Sequence, residues 1–325
     1  MAKQTENGKA FEYACIDFFT KSLSKKQNVT VVKNAPLDTA EELFNSLDRN
    51  TRDDLESAAK AAYKVVNNLE PRIESYLSDF PLELTLQADA KGQAGDVRDV
   101  VLSRSEEDWE IGLSCKHNHQ AIKHSRLSET IDFGKEWMSL PCSEQYFDEV
   151  RPIFAKLRKI KDESVRREKP ALWSDLEDKE GEYYEPVLSA FLKELSQLDK
   201  CYPNKVPERM VQYLLGRNDF YKIISDDATR TTRVEAFNIN GTLGQSSKNQ
   251  IARARIKRIK LPTRILKMEF IQGKKNKVQV FFDEGWTITF RIHNASSKIE
   301  PSLKFDVQLV SLPNSIYAQS EPWQF

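Results

Sequence analysis

The chain has 325 residues with 49 basic and 49 acidic side chains, so its formal net charge at pH 7 is zero. A hydrophobic fraction of 39% with 30% charged residues is typical of a soluble protein of one or two domains. The amino-terminal residues lack the apolar core of a signal peptide, no run reaches the length of a membrane span, and the four cysteines form no Cys-x-x-Cys pair. We therefore expect a cytoplasmic protein without membrane segments, disulfide framework or cysteine-ligated zinc.

The first third of the chain is predicted to be mainly helical. Residues 8–24 carry apolar side chains at helical spacing. A second helix is expected to begin at a cap formed by Asp38 or Thr39, because acidic residues follow in its first turn. A third, amphipathic helix is predicted over 53–69, and Pro71 ends it.

A β-hairpin is predicted next, because two apolar runs at 96–102 and 109–116 flank a polar turn. Pairing the runs about the midpoint of the turn sets Asp99 opposite Ser114, with Lys116 one same-face step further on. A carboxylate and an amine at the open end of a hairpin suit a metal-dependent phosphodiesterase. The acid would hold Mg²⁺, and the lysine would orient water and stabilise charge on phosphorus. Two solvated strand ends are the alternative interpretation.

Cationic and amide groups follow the hairpin directly, and three of the four histidines of the chain lie between Lys116 and Ser128. Such a segment can contact phosphates and base edges. Its predicted DNA-binding residues are His117, Asn118, Lys123 and Arg126. The adjacent letters His117-Asn118-His119 do not indicate an HNH nuclease, because the residues of that motif are spread over a ββα fold.

The rest of the chain changes from helical to strand periodicity near residue 218. Helices are predicted over 144–161, 185–198 and 207–215, with an exposed charged linker at 162–183. Strands are predicted at 221–224, 233–237, 265–270, 278–282, 287–292 and 305–310. The predicted fold class is α/β, with a helical and catalytic core over 1–200 and a β-rich DNA-recognition part over 201–325. The two parts form either separate domains or one continuous domain.

A basic stripe runs through the β-rich part. From Lys248 to Lys277 there are eleven lysines or arginines and one acid, Glu269. In a neutral protein such a stripe is the expected footprint of phosphate contacts. A solvated charged loop is the alternative.

Several stretches resemble the HaeIII-type restriction endonucleases, a branch of the PD-(D/E)XK nuclease superfamily. The matching stretches are 95–100, 109–119, 123–128, 209–216 and 290–307, and the resemblance extends from near residue 8 to near residue 310. It implies a mixed sheet flanked by helices and a type II enzyme that cuts double-stranded DNA at the palindrome GGCC with Mg²⁺. It further implies blunt ends and a cognate DNA methyltransferase as the partner in a restriction system.

The sequence departs from the superfamily pattern where Ser114 replaces the usual acid two residues before Lys116. Glu110 shares the strand face but lies four residues from Ser114, roughly 13 Å at the strand rise. That is too far to share a metal with Asp99.

The resemblance leaves the second acid open. Some PD-(D/E)XK enzymes with Ser-x-Lys take it from a following helix, which Glu129 would suit. Many such nucleases carry a glutamate near the metal on the first helix, where Glu12 lies. Asp96 is a third candidate. The predicted catalytic residues are Asp99, Lys116, Glu129 and Glu12, and the predicted metal ligands are Asp99, Glu129 and Asp96.

Reading GGCC requires donors to guanine O6 and N7, which arginine and lysine supply best. The candidates in the β-rich part are Arg230, Arg233, Arg291, His293 and Asn294. A twofold homodimer matches a palindrome most simply, and a monomer that cuts the strands in turn is the alternative.

Two other classes of protein are alternatives to a nuclease. A sequence-specific DNA-binding protein without catalytic activity would keep the basic stripe and need neither Asp99 nor Lys116. A DNA methyltransferase would need a glycine-rich cofactor loop, which does not precede Pro141-Cys142.

Overall fold

The computed structural model describes residues 2–74, 80–88, 96–118, 121–123, 125–247 and 251–324, without the side chains of 2–5 and 121–123. His119, Lys248 and the side chain of Lys123 therefore lie outside the described residues. In chain order the elements are α1 (Ala2–Leu23), β1 (Val29–Val31), α2 (Ala35–Ser46), α3 (Arg49–Leu69), β2 (Leu82–Leu86), β3 (Val100–Arg104), β4 (Trp109–His117), β5 (Ala121–Lys123), β6 (Arg126–Leu127), α4 (Phe133–Met138), α5 (Glu144–Arg166), α6 (Glu185–Cys201), α7 (Lys205–Leu215), β7 (Phe220–Asp226), β8 (Thr231–Phe237), β9 (Ile265–Phe270), β10 (Lys277–Phe282), β11 (Thr287–Asn294), β12 (Leu303–Ser311) and β13 (Tyr317–Pro322).

The chain divides into two units that alternate along the sequence. Unit 1 comprises Met1–Gln120, Gly216–Lys260 and Ser315–Phe325, and unit 2 comprises Ala121–Leu215 and Leu261–Asn314. This division differs from the predicted boundary near residue 200, because strands that follow residue 216 pair with the amino-terminal hairpin. The β3–β4 hairpin and the second half of its sheet are thus separated in sequence by most of unit 2.

Unit 1 contains a mixed sheet with the strand order β1-β2-β3-β4-β7-β8-β13. The pairs β1–β2 and β4–β7 are parallel. In the hairpin, Val100 lies opposite Leu113 and the Asp99 N–H donates to the Leu113 carbonyl at 2.8 Å, which confirms the predicted register. The alternate residues Val100, Leu102, Leu113 and Cys115 are buried in a core shared with α1 and α3.

The second helix begins earlier than predicted. The Asn34 side chain accepts from the Leu37 N–H at 3.0 Å and caps α2, and Pro36 lies in the first turn. The predicted caps Asp38 and Thr39 were therefore wrong, because both already lie inside the helix. The third helix matches its predicted extent closely, starting four residues earlier behind the cap Asp48.

Unit 2 combines a second sheet with the helices α4 to α7. The strand order is β5-β12-β11-β10-β9, and β6 pairs with β12. Rings from the helices and the sheet pack together, with Phe191 5.4 Å from Phe290 and Trp137 5.9 Å from Phe305 between ring centroids. Both units thus mix helices and strands, which bears out the α/β class. None of the described helices combines the length and apolarity needed to cross a bilayer.

A buried carboxyl group, Glu70, lies at the carboxyl end of α3. Its Oε1 accepts hydrogen bonds from the Tyr221 hydroxyl at 2.6 Å and from the Gly244 N–H at 2.5 Å. Burial raises the pKa of Glu70 from 4.5 to about 7, because it outweighs the lowering by these hydrogen bonds. The folded protein therefore holds a proton that the unfolded chain releases. The resulting stability is complete below pH 4.5 and is lost as the pH rises through 7.

We expect Glu70→Gln to remove this pH dependence, because glutamine keeps an oxygen acceptor and does not ionise. The free energy of unfolding of the variant relative to the wild type should rise by about 3 kcal/mol between roughly pH 4 and pH 8. Urea unfolding at a series of pH values measures the difference. A difference that stays constant over this range would contradict the assignment.

Candidate active site

The predicted carboxylate and amine meet at the open end of the hairpin in unit 1. Lys116 Nζ donates to Asp99 Oδ2 at 3.0 Å, and the same oxygen accepts from the Cys115 N–H at 2.7 Å and the Ser114 hydroxyl at 3.4 Å. About a fifth of each charged side chain is exposed. These contacts fix one carboxylate oxygen of Asp99 and leave the group reachable from solvent.

Lys116 is held in its charged form by the acids around it. Burial alone would lower the pKa of Lys116, but the charge of Asp99, their hydrogen bond and the charge of Glu12 outweigh burial and raise it above the ordinary value. The amine is therefore protonated at neutral pH. A fixed cation at this point can stabilise negative charge on a bound phosphate.

Glu12 on α1 is the acidic candidate that unit 1 brings to this pair. Its side chain is buried, and burial together with the charge of Asp99 raises the pKa of Glu12 to about 7, against lowering by Lys9 and Lys116. Lys9 Nζ donates to Glu12 Oε2 at 3.0 Å. Two carboxylates that repel each other in a confined site commonly bind a cation, because the cation offsets their repulsion.

The donor set fits a divalent cation. Among the described residues, neither Asp99 Oδ1 nor Glu12 Oε1 accepts a hydrogen bond. Within those same parts of the chain, no three His, Cys, Asp or Glu side chains come together as a metal cluster. The protein would therefore supply two carboxylate oxygens, and Mg²⁺ commonly keeps several waters beside one or two carboxylates.

Asp96, a predicted metal ligand, forms an ion pair with Arg98. It binds the Arg98 guanidinium through both oxygens, with Nε and Nη2 each at 2.8 Å, and Arg98 Nη1 donates to Glu110 at 2.6 Å. Gly112 on β4 makes room for the arginine stem. Both acids therefore neutralise one buried arginine that directly precedes Asp99 in the chain, and they stabilise the start of β3.

We expect Gly112→Ala to break this arrangement. A Cβ at position 112 would lie 2.0 Å from Arg98 Cδ and 3.0 Å from its Cβ, so the anchored arginine would have to move. The free energy of unfolding should fall by about 1–3 kcal/mol in urea titrations. Gly8→Ala is the control, since nothing lies within 4 Å of its Cβ, and in a helix it should raise stability by roughly 0.5–1 kcal/mol. Equal effects of the two changes would contradict the prediction.

His117 and Asn118 have hydrogen-bond partners inside unit 1, and their contact with DNA stays a prediction. The His117 ring is buried, with Nδ1 3.0 Å from the Ser225 hydroxyl and Nε2 3.1 Å from the Asn118 amide. Burial lowers the pKa of His117, and Asp227 opposes that shift. The Asn118 amide also donates to Asp227 at 2.7 Å. Because these polar atoms already have partners, the two residues join the end of β4 to the β7–β8 turn.

Lys222 is a functional candidate that the sequence interpretation missed. On β7 it pairs in register with Ser114, and on β8 its partner is Glu235. Lys222 is almost fully buried. Burial lowers the pKa of Lys222 to about 8, Glu235 opposes this, and Lys116 and Arg233 lower the pKa further. The sequence signal for Lys222 was a charged residue inside the apolar run 220–224. That Lys222 lies next to Ser114 can be known only from the pairing of β4 with β7.

The other candidate acid, Glu129, belongs to unit 2. It lies in a bend between β6 and α4 and forms an ion pair with Arg158 of α5. The expected position on a helix was therefore wrong. The part of Glu129 in metal binding stays a prediction.

The remaining predicted DNA contacts are distributed over both units. In unit 1, Arg230 has a left-handed backbone in the β7–β8 turn and Arg233 Nε donates to Glu235 at 2.8 Å. In unit 2, Arg126 donates to the Ser302 hydroxyl at 3.2 Å. The Asn294 amide is used internally, because it donates to the Ser296 carbonyl at 2.5 Å and accepts from the Tyr184 hydroxyl. Arg291 and His293 lie on β11.

The basic stripe is divided between the two units. In unit 1, Arg253, Arg255 and Lys257 are exposed, whereas Ile256 and Ile259 are buried and attach the segment to its unit. Among the described residues these three cations have no carboxylate partner. In unit 2 the stripe is partly neutralised, since Lys267 pairs with Glu269 at 2.7 Å.

The chain is similar to known proteins over a range that includes this site. A model of the HaeIII restriction endonuclease family matches residues 8–313, a range that includes Glu12, Asp99 and Lys116. The type II restriction enzyme HaeIII of Haemophilus aegyptius is 41% identical to the chain over 322 residues, which cover 99% of each sequence. No solved structure matches the chain.

Proposed function

Because the chain belongs to the HaeIII restriction endonuclease family, we propose that it hydrolyses double-stranded DNA at GGCC with Mg²⁺ and leaves blunt ends. It is a type II restriction enzyme, a site-specific deoxyribonuclease. The observation that supports this proposal best is the Lys116–Asp99 contact of 3.0 Å beside Glu12, with one oxygen of each acid uncommitted.

Each residue of the site has a chemical task in this proposal. Asp99 and Glu12 would hold Mg²⁺, which when bound supplies Lewis acidity and a lowered pKa for bound water. Lys116 keeps its proton, orients the attacking water and stabilises the charge that develops on the phosphoryl oxygens. The Ser114 hydroxyl and the Cys115 N–H hold Asp99 Oδ2, so that its other oxygen keeps a fixed direction. No covalent enzyme intermediate is required.

We assign the site to the PD-(D/E)XK type on the same grounds. An acid before β3 and a lysine near the end of β4, in a mixed sheet packed against α1, match that arrangement apart from Ser114. Glu12 is the second acid that we propose, since its pKa responds to Asp99 and Lys116. A cytoplasmic location, a homodimer on the palindrome and a cognate methyltransferase complete the proposal.

Digestion of a plasmid that carries several GGCC sites tests the function. We expect fragments with blunt ends at GGCC when Mg²⁺ is present and intact plasmid in EDTA. Fragments with other ends would refute the specificity and keep the nuclease. Intact plasmid from a folded protein that binds DNA would refute catalysis and favour a binding protein.

The exposed cations of the basic stripe in unit 1 should contribute to affinity for any DNA sequence. Changing Arg253, Arg255 and Lys257 to glutamine is expected to weaken binding and to reduce the slope of log affinity against log salt concentration by about 2–3. Filter binding with GGCC and unrelated duplexes measures both slopes. The matched control changes Lys156, Lys159 and Lys161 of α5, and an equal fall in slope there would contradict a local contact.

A further inference from the structure

Unit 2 carries a polar strip on the face of β11 and β12 that is opposite its apolar core. Because side chains alternate along a strand, Ile288, Phe290 and Ile292 are buried in the core, and the residues between them point to the other face. The register pairs Thr289 with Gln308, Arg291 with Asp306 and His293 with Lys304. We call these six residues the reading strip.

An oriented arginine lies at the centre of the reading strip. Arg291 Nη2 donates to Asp306 Oδ2 at 2.9 Å, and the Asp306 side chain is only 7% exposed whereas Arg291 is 49% exposed. Among the described residues, Arg291 Nε and Nη1 have no acceptor. A buried acid therefore holds one edge of the guanidinium and leaves other N–H donors accessible.

We propose that Arg291, oriented by Asp306, donates to O6 and N7 of a guanine in the target site. This inference rests on the proposed function, which supplies a guanine-containing target. A guanidinium fork matches the two guanine acceptors in the major groove, and prior orientation reduces the rotamer entropy lost on binding. Arg291 is the reading residue, and Asp306 is a positioning residue.

The charge of this pair favours a base over a phosphate as the ligand. Attraction to phosphates depends on uncompensated positive charge, and Asp306 compensates Arg291. Burial and the nearby charge of Arg291 also lower the pKa of His293, against raising by the Asn294 backbone and Asp306, so this neighbour is neutral at pH 7. The reading strip is therefore better suited to forming directional hydrogen bonds with a base than to attracting phosphates by its net charge.

The Thr289 side chain, next to Arg291 on this face, is 2% exposed, and its hydroxyl oxygen has no hydrogen-bond partner among the described residues. Buried hydroxyls normally have a partner. Because this oxygen is not accessible at the surface of the strip, an ordered water is the partner that fits it.

The test compares cleavage of a GGCC duplex with cleavage of duplexes in which one G·C pair of each half-site is changed to A·T. Arg291→Lys keeps the charge and loses the fork. We expect it to lower kcat/KM on GGCC by about 10- to 100-fold and to lower the preference for guanine at one of the two positions by the same factor. Asp306→Asn should affect the same position by a smaller factor.

Arg151→Lys is the matched control. Arg151 on α5 is 47% exposed and pairs with Glu144 and Asp148. The Arg151→Lys variant therefore measures the general effect of changing a half-exposed arginine that pairs with an acid. We expect its base preference to equal that of the wild type. An equal loss on every duplex with Arg291→Lys would make Arg291 a phosphate contact and overturn the proposal, as would an unchanged activity.

The wild-type enzyme separates failure of this inference from failure of the proposed function. If the wild type cuts at another sequence, GGCC is refuted, and the variants are compared at the guanines of that sequence. If the wild type cuts nothing, catalysis is refuted, and base preference is measured by competition binding instead. Arg291→Gln, which still donates to Asp306, replaces the lysine variant if thermal unfolding shows that the latter does not fold.

Discussion

Changing Lys116 to alanine is expected to lower the cleavage rate by about 10³-fold or more while the protein stays folded. The variant loses the cation next to the phosphate, and Lys222 does not replace it, because Lys222 is buried with Glu235 as its partner in register. Asp99 keeps its hydrogen bond from the Cys115 N–H, so the hairpin stays intact. Single-turnover cleavage of a GGCC duplex at saturating enzyme measures the rate of the chemical step.

Two further variants test whether the loss of activity is specific to the ammonium group of Lys116. Lys116→Arg keeps a positive charge with a different shape and should also be strongly impaired, because a planar guanidinium cannot take the position of a compact ammonium. Lys21→Ala removes an exposed lysine that pairs with Asp17 on α1 and should cut at the wild-type rate. Substantial activity in Lys116→Ala at normal Mg²⁺ would rule out Lys116 as a participant in the chemistry.

The second large effect is expected from Glu12→Gln, which we compare with Glu129→Gln. The first change removes a proposed metal ligand, so the rate should fall by about 10²- to 10³-fold and half-maximal activity should require about 10-fold more Mg²⁺. Glu129→Gln should leave the Mg²⁺ dependence unchanged, since that carboxylate pairs with Arg158. Rates over a Mg²⁺ titration decide between them, and the opposite ranking would make Glu129 the second acid.

Glu12→Gln also has an expected effect on stability that activity does not report. Because the pKa of Glu12 is raised to about 7, its ionisation above that pH opposes folding. In the absence of metal, the glutamine variant should therefore gain stability over the wild type as the pH rises from 4.5 to about 7. Chemical denaturation at roughly pH 4 and pH 8 measures the gain, and a constant difference would contradict the burial of an ionisable group here.

The sequence was sufficient to predict the part of the site that the β3–β4 hairpin forms. Strand alternation and the position of the polar turn predicted the register of β3 and β4, and thus the meeting of Asp99 and Lys116. These features depend on neighbours within about twenty residues, where periodicity and turn chemistry are informative. The same reasoning predicted that Glu110 does not share a metal with Asp99, and the Glu110 carboxylate accepts a hydrogen bond from Arg98.

The pairing of strands that lie far apart in the chain could not be predicted from the sequence. The position of Lys222 beside Ser114 requires β4 to pair with a strand that begins about a hundred residues later, and periodicity within one strand does not identify its partner. The burial of His117 has the same origin, since Ser225 and Asp227 cover it from the β7–β8 segment. The prediction of the α2 cap failed for a local reason, because Asn34, two residues before Pro36, caps the helix four residues ahead of Asp38.

The alternation of the two units along the chain has a consequence for synthesis on the ribosome. β4 has only one neighbour in its sheet until residues 220–226 emerge, and β8 gains its outer neighbour only with residues 317–322. Because unit 1 needs these distant segments, its sheet is completed late, after the whole of α4 to α7 has been made. The strand that bears Lys116 therefore gains its second neighbour in the sheet only after about two thirds of the chain has been made.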